Sequence, residues 1–278
     1  MTSPLYFIAE IGINHNGDME LAKKLIQVAS VAGADAVKFQ KREPDICVPE
    51  KQKAVIRETP WGEMTYLEYK KRLEFSKSQY LELRDLSHEL GLDFSASAWD
   101  LPSLEFIQDV GVDFHKIASA LATNETFVRA VSHSKLPIFL STGMMNLETM
   151  DAVVETANEA SKLTLMHTVS TYPTNEADLN LSLIPWMRER YGLPVGYSGH
   201  ESSLSPSIVA AALGASAIER HITLDRAMWG TDHAASLNPQ GLIQLVGSLK
   251  KVSKVIGVPE KRMFAGEEQV AEKLRYWS

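Results

Sequence analysis

The sequence predicts a closed parallel (β/α)8 barrel, a TIM barrel, as a single domain. Two observations lead to it. Short β-rich apolar runs alternate with helically spaced segments through eight strands, and the helix-to-strand turns are short and often read GA or GV, as in Gly33-Ala34 and Gly111-Val112. Polar side chains also recur at the C-terminal ends of all the strands: Glu10; Lys38 and Gln40; Ser97; Lys116 and Ser119; Ser141 and Thr142; His167 and Ser170; Ser198; Glu219 and His221. A barrel gathers eight such ends at one mouth. An open doubly wound sheet, the competing architecture, spreads them along an edge.

The first unit is the run Leu5–Gly12 followed by a helix within Gly17–Ala32, where Leu21, Leu25, Ile26 and Ala29 fall on one face. AVKFQ (Ala36–Gln40) is the second strand. Lys41–Ser76 is polar, proline-bearing and too long for an ordinary connection, so it reads as an irregular functional loop or lid with some local helix. Strands follow at Leu92–Ser97, Asp113–Ser119, Pro137–Gly143, Leu163–Ser170, Leu193–Ser198 and Ser216–Ile222. Helices alternate with them at Gln79–Leu90, Pro102–Val110, Asn124–Ser134, Leu147–Ala160, Leu181–Arg190, Ser205–Leu213 and Pro239–Ile256. The barrel is expected over residues 1–257, with 258–278 as a short C-terminal extension.

A chain of 278 residues with 45% apolar content buries a full core. Net charge −7 with no basic cluster argues against nucleic acid or an anionic membrane as partner, while leaving room for a local anion pocket. Cys47 is the one cysteine, which excludes an internal disulfide, and no N-terminal run resembles a signal peptide or a membrane span. A cytoplasmic location is the expectation.

Strand alternation sorts the polar residues, because side chains two apart share a face. Lys38 and Gln40 share one, and so do Glu219 and His221. Val37, Phe39, Ile218 and Ile222 then pack outward on the helices, a scheme that Arg220 fits poorly. Two inward lysines, Lys38 and Lys116, call for an anion, and hydroxyls at Ser97, Ser119, Ser141, Thr142 and Ser198 complete a cradle for a phosphate with a carboxylate. The stretch Val195–Ser236 concentrates His200, His221, Glu219, Asp232 and His233 at two strand-to-loop junctions, a density typical of active sites. It suggests a divalent metal held by His200 and His221.

Plainer readings stand beside these. A histidine at a strand end is more often a hydrogen-bonded structural group than a ligand. His15 fits a loop cap, His115 a place outside the barrel, His88 and His133 helix surfaces, and Asp100 a helix cap. Ser95, Ser97, Ser141 and Ser198 could cap the helices that follow them. Trp61, Trp99 and Trp229 read as packing, although Trp229 could also stack on a sugar.

Several motifs carry a family resemblance: AEIGINHNG (Ala9–Gly17), VKFQ (Val37–Gln40), HKIAS (His115–Ser119), LSTGM (Leu140–Met144), YPT (Tyr172–Thr174), GYSGH (Gly196–His200) and ERHITLDRAMWGTDHAASLNP (Glu219–Pro239). Their order and spacing resemble the catalytic barrel of the sialic acid synthases, which condense phosphoenolpyruvate with N-acetylmannosamine or a related aldose. The resemblance implies His200 and His221 as metal ligands, normally for manganese, with magnesium or cobalt as substitutes. It implies Lys38 and Lys116, with Ser97, Ser119, Ser141 and Ser198, as the phosphoenolpyruvate pocket. Glu10, Gln40, Tyr172, Glu219 and Asp232 are implied to hold or act on the sugar, the metal-bound water and the attacking water. A homodimer is implied as well.

Departures from the family pattern fall on the sugar side: Leu121 replaces an acidic residue, Ser170 an asparagine, and Ser97-Ala98 a Thr-Pro pair. A chain without the antifreeze-like C-terminal domain of longer relatives is the expectation. Mannose or mannose 6-phosphate, giving ketodeoxynonulosonate or its 9-phosphate, is therefore the alternative acceptor. More distant alternatives are a Schiff-base pyruvate aldolase using Lys116 and an inactive sugar-binding paralogue.

Overall fold

The structure, a computed structural model, describes residues 5–160 and 162–277, so the outermost ends of the expected barrel and extension lie outside the described residues. The first strands in chain order are β1 (Tyr6–Gly12) and β2 (Ala36–Lys41), followed by a hairpin of β3 (Ile56–Thr59) and β4 (Gly62–Thr65). Then come β5 (Asp93–Ala98), β6 (His115–Ile117), β7 (Ile138–Ser141), β8 (Leu163–Thr168), β9 (Val195–Gly199) and β10 (Ala217–His221). Eight of them form one sheet in the order β5-β2-β1-β10-β9-β8-β7-β6, with parallel pairing throughout. The two edges meet through Asp113 N–H donating to Phe94 O at 2.9 Å and Ser95 Oγ donating to Phe114 O at 2.6 Å. These bonds close the sheet into the TIM barrel, with helices between successive strands.

The helices form where apolar spacing and caps agree. Met19–Ala32 buries Ala22, Leu25, Ile26 and Ala29 on one stripe, starts at an Asp18 cap and ends at Gly33 with φ 79°. Asp100 caps Leu101–Val110 by accepting from Ser103 N at 2.7 Å. The C-terminal helix Ala265–Leu274 has no buried residue. No helix among the described residues is long and apolar enough to cross a membrane.

Alternation along the strands divides the barrel into layers. Outward-facing Phe7, Ala9, Ile11, Val37, Phe39, Ile218 and Ile222 join the core beneath the helices. Inward-facing Ile8, Ala36, Phe114, Phe139, Met166 and Ala217 form an apolar plug, with Tyr6 stacked on Phe139 at 5.8 Å. Above the plug the inward row turns polar. Register pairs Glu10 with both His221 and Lys38, Gln40 with Ser97, and Glu219 with Ser198. The site is therefore built on strand ends held by the ladder.

The segment after β2 differs from expectation. It is an ordered insert of short helices Pro44–Cys47 and Glu50–Lys53, the β3–β4 hairpin, and the helix Tyr66–Leu73, which a Thr65–Glu68 capping box starts. Its strands are four residues long and largely exposed, so they carry no apolar alternation to read. Tyr69 and Leu73 pack on Ile13, while Trp229, in the loop after β10, meets Trp61 at 5.9 Å and Tyr69 at 5.1 Å edge-on. Trp229 thus fastens the insert over the barrel mouth.

Two buried histidines tie stability to pH. Burial holds His15 down at about 3 and His115 at about 4. Both stay neutral in the folded chain, whereas unfolded histidine gains a proton near pH 6.5. The unfolded state therefore binds more protons as pH falls, so this stability is complete above about 6.5 and is lost progressively below it. Each histidine should cost roughly 2 kcal/mol between pH 6.5 and 5. Thermal melts should show Tm falling across that window with a shallower slope in His115→Gln; a slope unchanged by the substitution would contradict the assignment.

Candidate active site

A cavity of about 190 Å³ opens at the C-terminal mouth, and all the residues that the family resemblance implied for the site except Asp232 line it. Lys38, inward on β2, forms an ion pair with Glu10 on β1 and donates to Ser97 Oγ at 2.9 Å. Gln40 Nε2 donates to Glu10 Oε1 at 3.0 Å. Across the barrel, Lys116 Nζ lies 2.7 Å from Glu219 Oε1, which also accepts from Ser198 Oγ at 3.0 Å. These two ammonium groups and two carboxylates are buried and their charges cancel.

Burial alone would raise Glu219, but Lys116 and Lys38 outweigh it and pull the carboxyl down to about 2. Burial likewise pulls Lys116 down, and Glu219 opposes that. At 2.7 Å, with a second lysine adding positive charge, the ionic form of the pair prevails. Glu219 Oε2 is buried with no donor, leaving an acceptor aimed at whatever fills the pocket.

The opposite wall carries the imidazoles. Burial first, then His221, holds His200 down at about 3, so it is neutral. Its Nδ1 lies 2.9 Å from Val169 O and therefore carries the proton, while Nε2 accepts from Tyr172 OH at 2.9 Å. The His200 and His221 ring centroids are 5.6 Å apart, and His221 Nδ1 is buried without a partner. Tyr172 precedes a cis proline, Pro173, and is half exposed. Among the described residues no three His, Cys, Asp or Glu side chains converge on a metal position. His200 Nε2, which here accepts from the Tyr172 hydroxyl, and the imidazole of His221 still fit an open divalent site whose other positions go to water and substrate.

Backbone and loops fix this geometry. At Gly12, φ 57°, a Cβ would lie 3.1 Å from Glu10 Oε1 and 3.2 Å from Gln40 Nε2. At Gly143 it would lie 2.4 Å from Ser170 Oγ, and the bare glycine N–H instead donates to Ser119 Oγ at 3.2 Å. Asn14 Nδ2 donates to Ile222 O at 2.8 Å and Ser236 Oγ at 2.9 Å, joining the first and last mouth loops. His15 Nδ1 accepts from Gly17 N at 3.0 Å, the loop cap that the sequence suggested.

Some placements differ from the sequence reading. His167 faces away from the mouth and bonds Leu179 O at 2.7 Å; its position is one off the inward row of Met166 and Thr168. Thr142 bonds Met166 O at 3.2 Å and lies outside the cavity lining. Ser97 and Ser198 bond Lys38 and Glu219, and Ser95 bonds a strand carbonyl; none caps a helix. Asp232 stands outside the lining, bonded by Thr231 Oγ1 at 2.6 Å, with its charge acting on His221, Tyr172 and Lys70. Trp229 packs on the insert rather than facing the cavity.

Two features were not assigned from sequence. Arg220 points outward and, fully buried, pairs with Glu201 at 2.7 Å; it also donates to Ser203 O and Ser207 Oγ, each at 2.9 Å. Tyr197 OH donates to Glu201 Oε2 at 2.6 Å. This network holds the loop bearing His200 from behind. The signal was the awkward arginine itself: a charge on the helix-facing side of a strand requires a buried partner, and Glu201 directly follows His200. The other feature is Trp99, which lines the cavity with Arg42 over its ring at 4.3 Å. A larger groove of about 670 Å³ beside the cavity, with Met145, Leu147 and Trp186 in its wall, is mainly apolar and lacks the paired charges.

The fold and this pocket define a TIM-barrel protein with a buried, charge-rich small-molecule site at the strand ends. Residues 25–261 match the family model described as the NeuB family. The chain is 40% identical over 289 residues to the N-acetylneuraminate-9-phosphate synthase of Drosophila melanogaster, covering 99% of this chain and 76% of that protein. It is 38% identical over 275 residues to the human protein of the same name, covering 98% and 76%. The solved N-acetylneuraminic acid (sialic acid) synthetase of Leptospira borgpetersenii superposes with a TM-score of 0.86 at 32% identity, covering 99% of this chain and 93% of that one. The chain belongs to the NeuB family.

Proposed function

We propose that the protein condenses phosphoenolpyruvate with an aldose, N-acetylmannosamine or a relative, to give a nonulosonic acid and phosphate. The observation that carries this reading is one cavity with Lys38 and Lys116 among hydroxyls on one side and the His200–His221 pair on the other. Lys38 and Lys116, with Ser97, Ser119 and Ser141, bind the phosphate and carboxylate of phosphoenolpyruvate. Because the resident charges cancel, that anion needs a further cation. His200 and His221 would hold a divalent ion, manganese in our reading, which when bound polarises the aldehyde carbonyl.

C3 of the enol attacks the aldehyde carbon, and water adds at C2. Collapse at C2 then expels phosphate with its bridging oxygen, leaving the ketone. Glu10 and Gln40 orient the sugar at the mouth, with Tyr172 and Asp232 on its other side. Glu219 handles the water proton. When the substrate phosphate takes Lys116, the carboxylate loses its partner and burial raises its proton affinity.

The reading is tested by phosphate release with phosphoenolpyruvate, manganese and a panel of N-acetylmannosamine, mannose, their 6-phosphates and a diacetamido-hexose. Release that requires an aldose, the enol and the metal together is the expected outcome. Silence on every sugar, or release without one, would overturn it.

A further inference from the structure

We propose that the buried Arg220–Glu201 pair is a positioning device for the two imidazoles: it sets the place of His200 relative to His221, and with it the affinity of the pocket for a divalent ion. This rests on the synthase reading above and names the residues that shape its metal side.

The two histidines stand on different supports. His221 is the last residue of β10 and is fixed by the ladder, whereas His200 is the first residue beyond β9. His200 Nδ1–H donates to Val169 O at 2.9 Å, and His200 O accepts from Thr174 N at 3.2 Å. Both partners belong to the loop after β8, so neither bond relates His200 to His221. Arg220 does. It lies on β10 between Glu219 and His221, in register with Gly199, and its side chain takes the opposite face from theirs. Its Nη2 donates to Glu201 O, and Nη1 donates to Ser203 O and to Ser207 Oγ on the helix Ser205–Ala212, each at 2.9 Å. The strand that carries one imidazole thus grips the carbonyls of the loop that carries the other.

The carboxylate is held at both oxygens. Glu201 Oε1 lies 2.7 Å from Arg220 Nη1, and Oε2 accepts from Tyr197 OH at 2.6 Å. It folds back beneath the chain, because a Cβ at Gly199 would lie 2.6 Å from Glu201 Oε2 and 2.7 Å from the Tyr197 ring. The residues on both sides of His200 are therefore clamped from the helix side.

Stability does not account for such a pair. Two buried charges lose hydration that their attraction barely repays, and apolar residues of similar volume are often as stable. Arg220 even keeps its Nε–H buried with no acceptor among the described residues, which adds to the cost. What the guanidinium adds is a planar fork that serves several acceptors at fixed angles. Here those acceptors are the carboxylate and backbone carbonyls that follow His200.

The test compares wild type with Arg220→Met/Glu201→Leu, Arg220→Lys and Tyr197→Phe by manganese calorimetry, thermal melts and steady-state kinetics. The double variant leaves no charge stranded, so its Tm should stay near that of wild type. Its manganese affinity and kcat should each fall about 10- to 100-fold, while the KM for phosphoenolpyruvate changes little. Arg220→Lys keeps the charge opposite Glu201 but loses the fork, and should weaken manganese about tenfold. Undiminished manganese affinity in the double variant would overturn the proposal, and so would an equal loss of phosphoenolpyruvate affinity, the mark of general damage. If the double variant does not fold, Arg220→Lys and Tyr197→Phe decide: weaker manganese binding at constant KM for phosphoenolpyruvate supports the proposal, and wild-type binding in both overturns it. If wild type binds no manganese, the metal assignment fails, and nitrogen-15 NMR of labelled histidine in the metal-free protein judges the positioning alone. The His200 signals, identified by their loss in His200→Gln, should show one Nδ1–H tautomer in wild type and averaged tautomers in Arg220→Lys. Identical spectra would overturn the role of the pair.

Discussion

Lys38→Met is expected to raise the KM for phosphoenolpyruvate by about 10- to 100-fold, the loss of a charge-assisted contact to phosphate. It should also lower Tm, because Glu10, buried at 1% exposure, loses its ammonium partner. Removing one member of a buried pair costs about 3–5 kcal/mol. The double variant Lys38→Met/Glu10→Gln separates the two effects. It removes the stranded charge and should recover much of the Tm, while substrate affinity stays poor. A single variant with unchanged KM would refute the anion role of Lys38.

His200→Ala and His221→Ala should each reduce kcat by about 10³-fold, the scale of several kcal/mol of carbonyl polarisation, and weaken divalent-ion binding in calorimetry. The metal readout distinguishes a ligand from a residue that only shapes the pocket. Their stability cost should be smaller than that of Lys38→Met, since both imidazoles face the cavity and His221 Nδ1 has no protein partner to strand. Full activity with unchanged metal affinity in either variant would remove that histidine from the site.

Much of this was legible in the chain because strand alternation is strict. Once Val37 and Phe39 are assigned to the helix side, Lys38 and Gln40 must enter the barrel, and the same parity places Glu219 and His221. Parity also explains the errors. His167 is one residue off the inward row, and Thr142 follows the strand end where parity no longer constrains the side chain. The pairing of each lysine with its own carboxylate was not legible, since Lys116 and Glu219 meet only when β6 and β10 come to opposite sides of a closed barrel. The insert after β2 stayed hidden because its hairpin is short and exposed, and its place depends on aromatic contacts between Tyr69, Trp61 and Trp229. The Glu201–Arg220 pair was half visible, as a charge with no evident partner.

The central claim is that the two sides of the pocket act on one enol and one aldehyde. Phosphoenolpyruvate labelled with oxygen-18 at its bridging oxygen tests it most directly, read by phosphorus NMR of the phosphate released in the presence of an aldose. Addition of water at C2 followed by C–O cleavage puts the label in phosphate, with the keto oxygen drawn from water. Label retained in the organic product would mean P–O cleavage and would contradict the account.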